Sequence, residues 1–338
     1  MKNRHVSFIG CGLIGEKRSQ ALPDGTEVCS FYDVDSNASK KLAMKRGGSV
    51  AVSLEDILKD QSEVVVIATP HARLFDLAKV ALNAGKNVLL EKPGGIQVGQ
   101  IETLMQISKE NSKHVKIGFN HRFHPSIMKA KAIQESSELG EILNIRTHYG
   151  HGGRIGYENE WRCKPELSGG GELIDQGVHL LDLYYWFLGP LPLKSTFATT
   201  AFWNTPVEDN AVLTFSENPE IGRKWGSLSV SFTEWKNQFR MEIYFKTGKL
   251  LLEGLGGSYG PEQLTVYRMP AEMGPPSAEK FEYSNEPDLS WRRDLENLFD
   301  HIDDNKPLLG GLDSAHYALS AIRQTYQENG YRDLPCSV

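Results

Sequence analysis

His5-Val6-Ser7-Phe8-Ile9-Gly10-Cys11-Gly12-Leu13-Ile14-Gly15 is the most informative run of the sequence. A β-forming segment leads into G-x-G-x-x-G, and a helical stretch to Leu22 follows. Alone the glycine pattern is weak; between a strand and a helix it is a dinucleotide-binding fingerprint. Gly10 permits the tight turn, Gly12 lets a pyrophosphate approach the backbone, and Gly15 lets helix and strand pack closely. Cys11, Leu13 and Ile14 complete the cofactor loop. The helix N-terminus offers free N–H groups and a positive dipole end to the phosphates. The next strand, residues 27–32, ends at Asp33, 21 residues beyond Gly12. An acid that accepts hydrogen bonds from the ribose is expected at that spacing. Asp33 would repel a 2′-phosphate and no arginine follows it, so NAD is favoured. Asp35 and Ser36 add polar contacts, while Lys40 and Lys41 leave NADP use open.

Alternation continues from there. The patterning predicts helices over 39–46, 53–59, 73–83 and 101–110, and apolar strands over 63–68, 87–90 and 115–119. Repeated strand–helix alternation points to a parallel, doubly wound sheet. In such sheets ligands sit beyond the carboxyl ends of the strands. Those ends are Gly10, Asp33, Ala68-Thr69-Pro70, Glu91-Lys92-Pro93 and Asn120. Lys92 follows a buried strand and precedes a proline, so its base is held at the sheet's rim. A solvated loop is the commonest surrounding of a lysine. At this rim an ammonium is instead suited to stabilising an alkoxide as charge develops.

A second informative run is Ser168-Gly169-Gly170-Gly171 and the apolar-periodic segment after it, which stops at Gly189-Pro190. It reads as a loop entering a helix. On a helix Asp175, His179 and Asp182 share one face. A carboxylate one turn below an imidazole holds one tautomer and makes the ring a stronger base. By itself His179 is more simply a buried histidine satisfying a carbonyl; Asp175 is what makes it a candidate base. Asp182 is either a supporting group or a partner for Arg122 or Lys164.

The chain has 338 residues, enough for two domains. Its net charge of −6 excludes bulk attraction to nucleic acid or an anionic membrane. No run approaches the ~18 apolar residues of a membrane helix. The apolar run near the N-terminus stops at the glycines after Ile9, too soon for a signal peptide. Cys11, Cys29, Cys163 and Cys336 show neither C-x-x-C nor metal-like spacing, so no metal and a reduced, cytoplasmic setting are expected.

Residues 10–15, Ala68-Thr69-Pro70, Glu91-Lys92-Pro93, Gly118-Phe119-Asn120-His121-Arg122-Phe123-His124-Pro125 and 169–182 occur in this order. Together they resemble the Gfo/Idh/MocA family, essentially end to end. The resemblance implies an α/β Rossmann domain over 1–122 and an α+β domain over 123–338. The second would carry a large, mostly antiparallel open sheet and serve substrate binding and oligomerisation. The resemblance also implies that Lys92, Asp175 and His179 form the active-site set. Ala68, Thr69, Pro70, Glu91 and Asn120 would then line the nicotinamide half of the cofactor site, and His124 would contact substrate. Many members carry a histidine four residues after the T-P proline; here that position is Leu74, and His71 is out of register.

In the second half a helix is expected over 125–136 and a strand over 142–149. A glycine-rich, polar segment over 150–165 should cover the cleft. Short strands follow over 195–203, 211–215, 226–233, 239–245, 250–253, 264–267 and 280–283, with Lys246-Thr247-Gly248-Lys249 as a hairpin turn. One face of such a sheet packs on the core. Covering the other suggests a homodimer or homotetramer. Helices over 291–303 and 313–328 close the pattern, Asp313 as N-cap, with His301 and His316 as ordinary satisfied histidines.

The implied chemistry is reversible hydride transfer between nicotinamide and a secondary hydroxyl of a sugar, polyol or nucleotide-linked sugar. His179 would take the hydroxyl proton, Lys92 would anchor the oxygen, and Asp175 would orient one of them, its spacing favouring His179. Arg154, Arg162 and Lys164 suit an anionic substrate. In the blander alternative Arg162 serves the cofactor and the others are solvated. Trp161 is placed to stack on a sugar, a base or the nicotinamide, and the glycine-rich segment over 254–260 could form another pocket wall. The rival functions are an NAD-dependent glycosidase with transient oxidation, and a nicotinamide-binding regulator without turnover.

Overall fold

The computed structural model describes residues 3–220, 222–283 and 287–337. Contacts divide the chain into two units, Met1–Asn120 with Leu289–His316 and His121–Asp288 with Tyr317–Val338.

The first unit is built on β1 (Arg4–Ile9), β2 (Thr26–Tyr32), β3 (Ser49–Val50), β4 (Val64–Ile67), β5 (Asn87–Leu90) and β6 (Val115–Ile117). They lie in the order β3-β2-β1-β4-β5-β6, every pair parallel. The order reverses at β1 and β4, the switch point beside which ligands sit in open α/β sheets. Every residue of β4 and β5 is buried, as in strands covered by helices on both faces. β3 was not expected: two residues after Gly47-Gly48 carry no periodicity to read. Local capping sets two helix starts. Asp35 accepts from Asn37 N at 2.9 Å, and Ser53 forms a capping box with Asp56.

Helix Ser290–Asp304 also belongs to this unit, although the sequence placed it beyond a single cut at 122. Its Leu295, Leu298 and Phe299 complete a core with Val6, Phe8, Phe31, Val64, Val66 and Leu89. The sequence shows that apolar stripe but not what it packs against.

Four of the buried charges in the same unit form one network. Arg18 Nε donates to Glu91 Oε1 and Arg18 Nη1 to Asp294 Oδ2, both at 2.6 Å. Lys116 Nζ lies 3.0 Å from Asp294 Oδ1 and also donates to the Leu309 carbonyl. Arg18 stacks on Trp291, 4.6 Å from the ring centre.

The second unit carries β7 (Ile142–Gly150), β8 (Leu193–Thr199), β9 (Asn210–Phe215), β10 (Trp225–Ser231), β11 (Gln238–Phe245), β12 (Gly248–Glu253), β13 (Gln263–Arg268) and β14 (Ser277–Glu282). Their order is β14-β13-β12-β11-β7-β10-β9-β8, antiparallel throughout except for β7 beside β10. β11 alternates cleanly, with Phe239, Met241, Ile243 and Phe245 inward and Arg240, Glu242 and Tyr244 outward. The expected hairpin turn is shorter than read. Phe245 pairs with Gly248, so only Lys246 and Thr247 are left in the turn. A Cβ on Gly248 would lie 2.2 Å from the Tyr267 carbonyl, so glycine serves strand packing there. Helix Val178–Leu188 lies on the parallel pair, its Tyr184 hydroxyl 3.0 Å from the Ile145 carbonyl and 2.5 Å from that of Ser227. Gly226 makes room for that ring. The last long helix, Leu312–Glu328, starts one residue before Asp313, which therefore sits in its first turn and not at the cap.

Removing one member of a buried charge network strands the others. We expect Asp294→Ala to lower unfolding free energy by ~3–5 kcal/mol, read from urea denaturation at unchanged m-value. Lys59→Ala, which breaks an exposed pair with Glu55, should leave the midpoint where it is. Equal effects of the two would refute the role given to the buried network.

Candidate active site

The glycine loop of the first unit is shaped by contact on two sides and by open space on a third. Gly10 has φ +93°, and a Cβ there would lie 2.5 Å from the Ala68 carbonyl. On Gly15 it would lie 2.1 Å from the Gly10 carbonyl. A Cβ on Gly12 would meet nothing within 4 Å, so that side of the backbone is presented to open space at the N-cap of helix Leu13–Gln20. Leu13 is exposed, Ile14 half-buried and Cys11 buried. Burial, helped by the Asp33 charge, pushes the Cys11 thiol up to about 12, so it stays protonated. Asp33 Oδ2 accepts from Cys11 N at 2.6 Å and Oδ1 from Asp35 N at 2.9 Å. A carboxylate has about four acceptor sites, which leaves capacity for ribose hydroxyls. Asp35, read as a cofactor contact, is exposed and spends its carboxylate on the cap of helix Ser36–Arg46.

Thr69 follows β4, and its buried hydroxyl has no hydrogen-bond partner among the described residues. Leaving such a group unsatisfied costs roughly 1–3 kcal/mol. The open Gly12 face, the uncapped helix start, Asp33 and this hydroxyl together fit a dinucleotide. Pro70 caps helix His71–Asn83. Leu74 is wholly buried, so the position that carries a histidine in many relatives is core here. Glu91 is buried and bound by Arg18, and half-buried Lys92 follows it. Asn120 Nδ2 donates to Ser290 Oγ at 2.9 Å.

In the second unit a short helix precedes the glycine run, and the helix expected after that run opens with a wide turn. Pro165–Ser168 is a short helix, Leu173–Gly177 a π-turn, and Val178–Leu188 an α-helix. The wide turn is accommodated at Gly177, where a Cβ would lie 2.7 Å from Leu173 Cδ1; such turns are frequent at functional sites. Asp175 sits within it and His179 just after, both 4% exposed. The His179 ring stacks on His121, centroids 3.8 Å apart and planes 12° from parallel. His121 Nε2 is 3.2 Å from the Tyr149 hydroxyl, and the Tyr149 and Tyr259 rings are 4.7 Å apart. Burial pushes the Tyr149 phenol well above its ordinary range.

Asp175 Oδ2 accepts from Arg162 Nε at 3.0 Å, so Arg162 shares the carboxylate expected to orient His179. Arg162 also reaches Glu160 at 3.3 Å and lies 4.8 Å over Trp161. Arg154 is exposed and paired with Glu160. His151 Nε2 lies 3.4 Å from Glu172 Oε2. Burial would lower the His151 ring, but Glu172 and Asp175 outweigh it and hold it above its usual value. Asp182 is bound by Arg122 through two hydrogen bonds, at 2.8 and 2.6 Å. His124, expected at the substrate, is buried 3.3 Å from Glu262.

The sequence reading missed Glu208. Its Oε1 accepts from Leu173 N at 2.9 Å and Tyr326 Oη at 2.8 Å, and its Oε2 from Gly171 N at 3.0 Å. The signal was there: a Glu208-Asp209 pair entering an apolar strand has to find buried donors. Among the described residues no group of three metal-ligating side chains could hold an ion, and no helix is long and apolar enough to cross a membrane.

Two profiles of one family match in succession. Residues 4–119 match the oxidoreductase family with an NAD-binding Rossmann fold, and residues 127–251 match the GFO/IDH/MocA C-terminal domain. The chain belongs to the Gfo/Idh/MocA oxidoreductase family. Residues 4–119, within the first unit, match the family's NAD-binding Rossmann fold. Among relatives, glucose-6-phosphate 3-dehydrogenase of Bacillus subtilis is 28% identical over 220 residues, 62% of this chain and 61% of that one. The chain thus spans about three fifths of that relative's length. Levoglucosan dehydrogenase in complex with NADH superposes with a TM-score of 0.86 at 18% identity, covering 97% of this chain and 98% of that one. An oxidoreductase of Desulfitobacterium hafniense described as NADPH-dependent gives 0.87 at 17%, covering 98% and 97%. These two structures share the fold.

Burial pushes the Glu208 carboxyl up to about 7, against the hydrogen bonds from Leu173, Tyr326 and Gly171. A glutamate in the unfolded chain titrates near ~4.3, so the native state binds this proton more tightly. Its stabilising contribution is present in full below ~4.3 and lost as pH rises through about 7. Tyr326, Tyr331 and Cys336 around it are all pushed upward. Wild-type Tm minus that of Glu208→Gln should therefore fall between about pH 5 and about pH 8. A difference independent of pH would show that Glu208 does not titrate there.

Proposed function

We propose that this protein is an NAD-dependent dehydrogenase that oxidises a secondary hydroxyl of a sugar or polyol, or reduces the corresponding ketone. The observation that carries the reading is the buried His179, its ring stacked on His121 and Asp175 one wide turn before it. A base held in one plane suits directional proton transfer.

In this reading His179 takes the hydroxyl proton during oxidation. Asp175, itself bridged to Arg162, favours the charged ring that results. Lys92 binds the same oxygen and stabilises charge developing on it. Gly12, Asp33 and Thr69 would hold NAD, which when bound supplies the hydride acceptor. Asp33 supports NAD over NADP, since its carboxylate would face a 2′-phosphate with like charge. The second unit would bind substrate, and its sheet would serve a homodimer or homotetramer. The outward groups Arg146, Arg240, Glu242 and Tyr244, with exposed Trp225, mark the face available for that. We take the setting to be cytoplasmic.

Of the three basic residues expected to suit an anion, Arg154 and Arg162 are matched by Glu160 and Asp175, and Lys164 is exposed. That supports a neutral, hydroxyl-rich substrate over an anionic one. Arg154→Ala should then change KM alike for glucose 6-phosphate and for glucose; a selective rise for the phosphate would restore the anionic reading.

NADH formation over a panel of inositols, hexoses, uronates and nucleotide-linked sugars tests the activity itself. Lys92→Met should lower turnover by about 10²–10³-fold while NADH binding, followed by fluorescence, is kept. Turnover near wild type in that variant would overturn the assignment. Asp33→Ser should raise kcat/KM with NADP relative to NAD, and an unchanged ratio would remove Asp33 from cofactor choice.

A further inference from the structure

We propose that Glu208, backed by Tyr326, is the positioning residue that sets the segment bearing Asp175 and His179. The proposal rests on His179 being the base. Three successive backbone N–H groups open this segment, those of Gly171, Glu172 and Leu173. Glu208 receives all three: Gly171 on Oε2 at 3.0 Å, Leu173 on Oε1 at 2.9 Å, and Glu172 on its own carbonyl at 3.1 Å. The π-turn has no side-chain cap of its own, so a residue 35 positions from Leu173 satisfies donors that a local cap would otherwise take.

The neighbouring glycines are shaped by this contact. A Cβ on Gly171 would lie 2.0 Å from the Glu208 carbonyl oxygen and 2.7 Å from Oε2. A Cβ on Gly170 would lie 2.2 Å from the Tyr326 hydroxyl. Tyr326 is wholly buried; its hydroxyl donates to Glu208 Oε1 and accepts from Gly171 N at 3.2 Å. Gly170 and Gly171 thus serve close approach of a carboxylate and a phenol, where a glycine run entering a helix otherwise suggests a ligand loop. Asp175 N bonds the Gly171 carbonyl at 3.1 Å, so the clamped glycine is joined directly to the π-turn. Moving the anchor moves the Asp175 and His179 side chains with the backbone that carries them.

Glutamine has nearly the shape of glutamate but turns one acceptor into an NH₂ donor, which must face Gly171 N–H or Leu173 N–H. Aspartate keeps the charge and shortens the reach. The test uses the full chain as Glu208→Gln, Glu208→Asp and Tyr326→Phe. The ring nitrogens of His179 are read by ¹⁵N-histidine NMR and assigned with His179→Asn. Steady-state rates use NAD with inositol, glucose 6-phosphate or levoglucosan, whichever the wild type oxidises fastest. Glu208→Gln should move the His179 ring signals and lower kcat by about tenfold or more, with KM and NADH affinity little changed. Glu208→Asp should recover part of kcat, and Tyr326→Phe should lower it about threefold. A purely structural strut would lower Tm and leave kcat per folded molecule and the His179 signals at wild-type values, and that result overturns the proposal. Should Glu208→Gln not fold, Tyr326→Phe decides on the same readouts. If the wild type oxidises neither these sugars nor any member of the wider panel of inositols, hexoses, uronates and nucleotide-linked sugars, the dehydrogenase reading is what fails, and the His179 signals alone judge the clamp.

Discussion

The first unit depends on a buried guanidinium, that of Arg18. Arg18 joins Glu91, at the end of β5, to Asp294 of a helix far along the chain, and Asp294 in turn binds Lys116 of β6. Charges this deep are tolerated only when each has its partner. The backbone has been shaped around them: a Cβ on Gly118 would lie 2.5 Å from Arg18 Nη2 and 3.0 Å from Glu91 Oε1. The consequence for function is indirect. Glu91 was read as a lining residue of the cofactor site, but its carboxylate is taken up in fixing the strand end from which Lys92 projects. The same network explains why helix Ser290–Asp304 has to return to this unit.

The second unit solves a similar problem with a different group. Its carboxylate, Glu208, is held mainly by backbone N–H groups and one phenol. In both units glycine marks the place where a buried polar side chain meets main chain, Gly118 in one and Gly170-Gly171 in the other. These glycines therefore differ from Gly12, whose missing side chain faces open space. Two glycine runs that look alike in sequence have opposite uses. One keeps room for a ligand, and the other is already filled by the protein itself.

That contrast explains what could be read in advance. Strand–helix alternation, the buried β4 and β5, the G-x-G-x-x-G turn and the inward residues of β11 follow from local periodicity and steric rules, which a sequence displays directly. Pairings between distant positions do not. Arg18 and Asp294 stand 276 positions apart and Glu208 and Tyr326 stand 118 apart, and neither partner carries a local signal of the other. The same limit hid the return of Leu289–His316 to the first unit. The two-residue β3 and the π-turn at Leu173–Gly177 were missed for another reason: each is too short to impose a period. The four-residue spacing of Asp175 and His179 is displayed by the sequence itself, whereas the Arg162 that binds Asp175 comes from a separate short 3-10 turn, Trp161–Cys163.

Charge placement around His179 bears most directly on what the site can accept. Arg162 is bound to Asp175 and Glu160, Arg154 to Glu160, and His151 to Glu172. Each cationic group of the 150–165 segment with a described partner is therefore matched by a carboxylate, and Glu160 serves two of them. In the proposed reading a phosphate drawn to these cations would have to compete with the carboxylates that already hold them. Hydroxyl groups face no such competition. They can donate to carboxylates and accept from phenols, imidazoles and guanidinium N–H groups without bringing a charge of their own. Tyr149, Tyr259 and Tyr157, whose phenols burial keeps protonated, add donors of the same kind. The balance of charge in the second unit is therefore in keeping with the proposed neutral, hydroxyl-rich substrate.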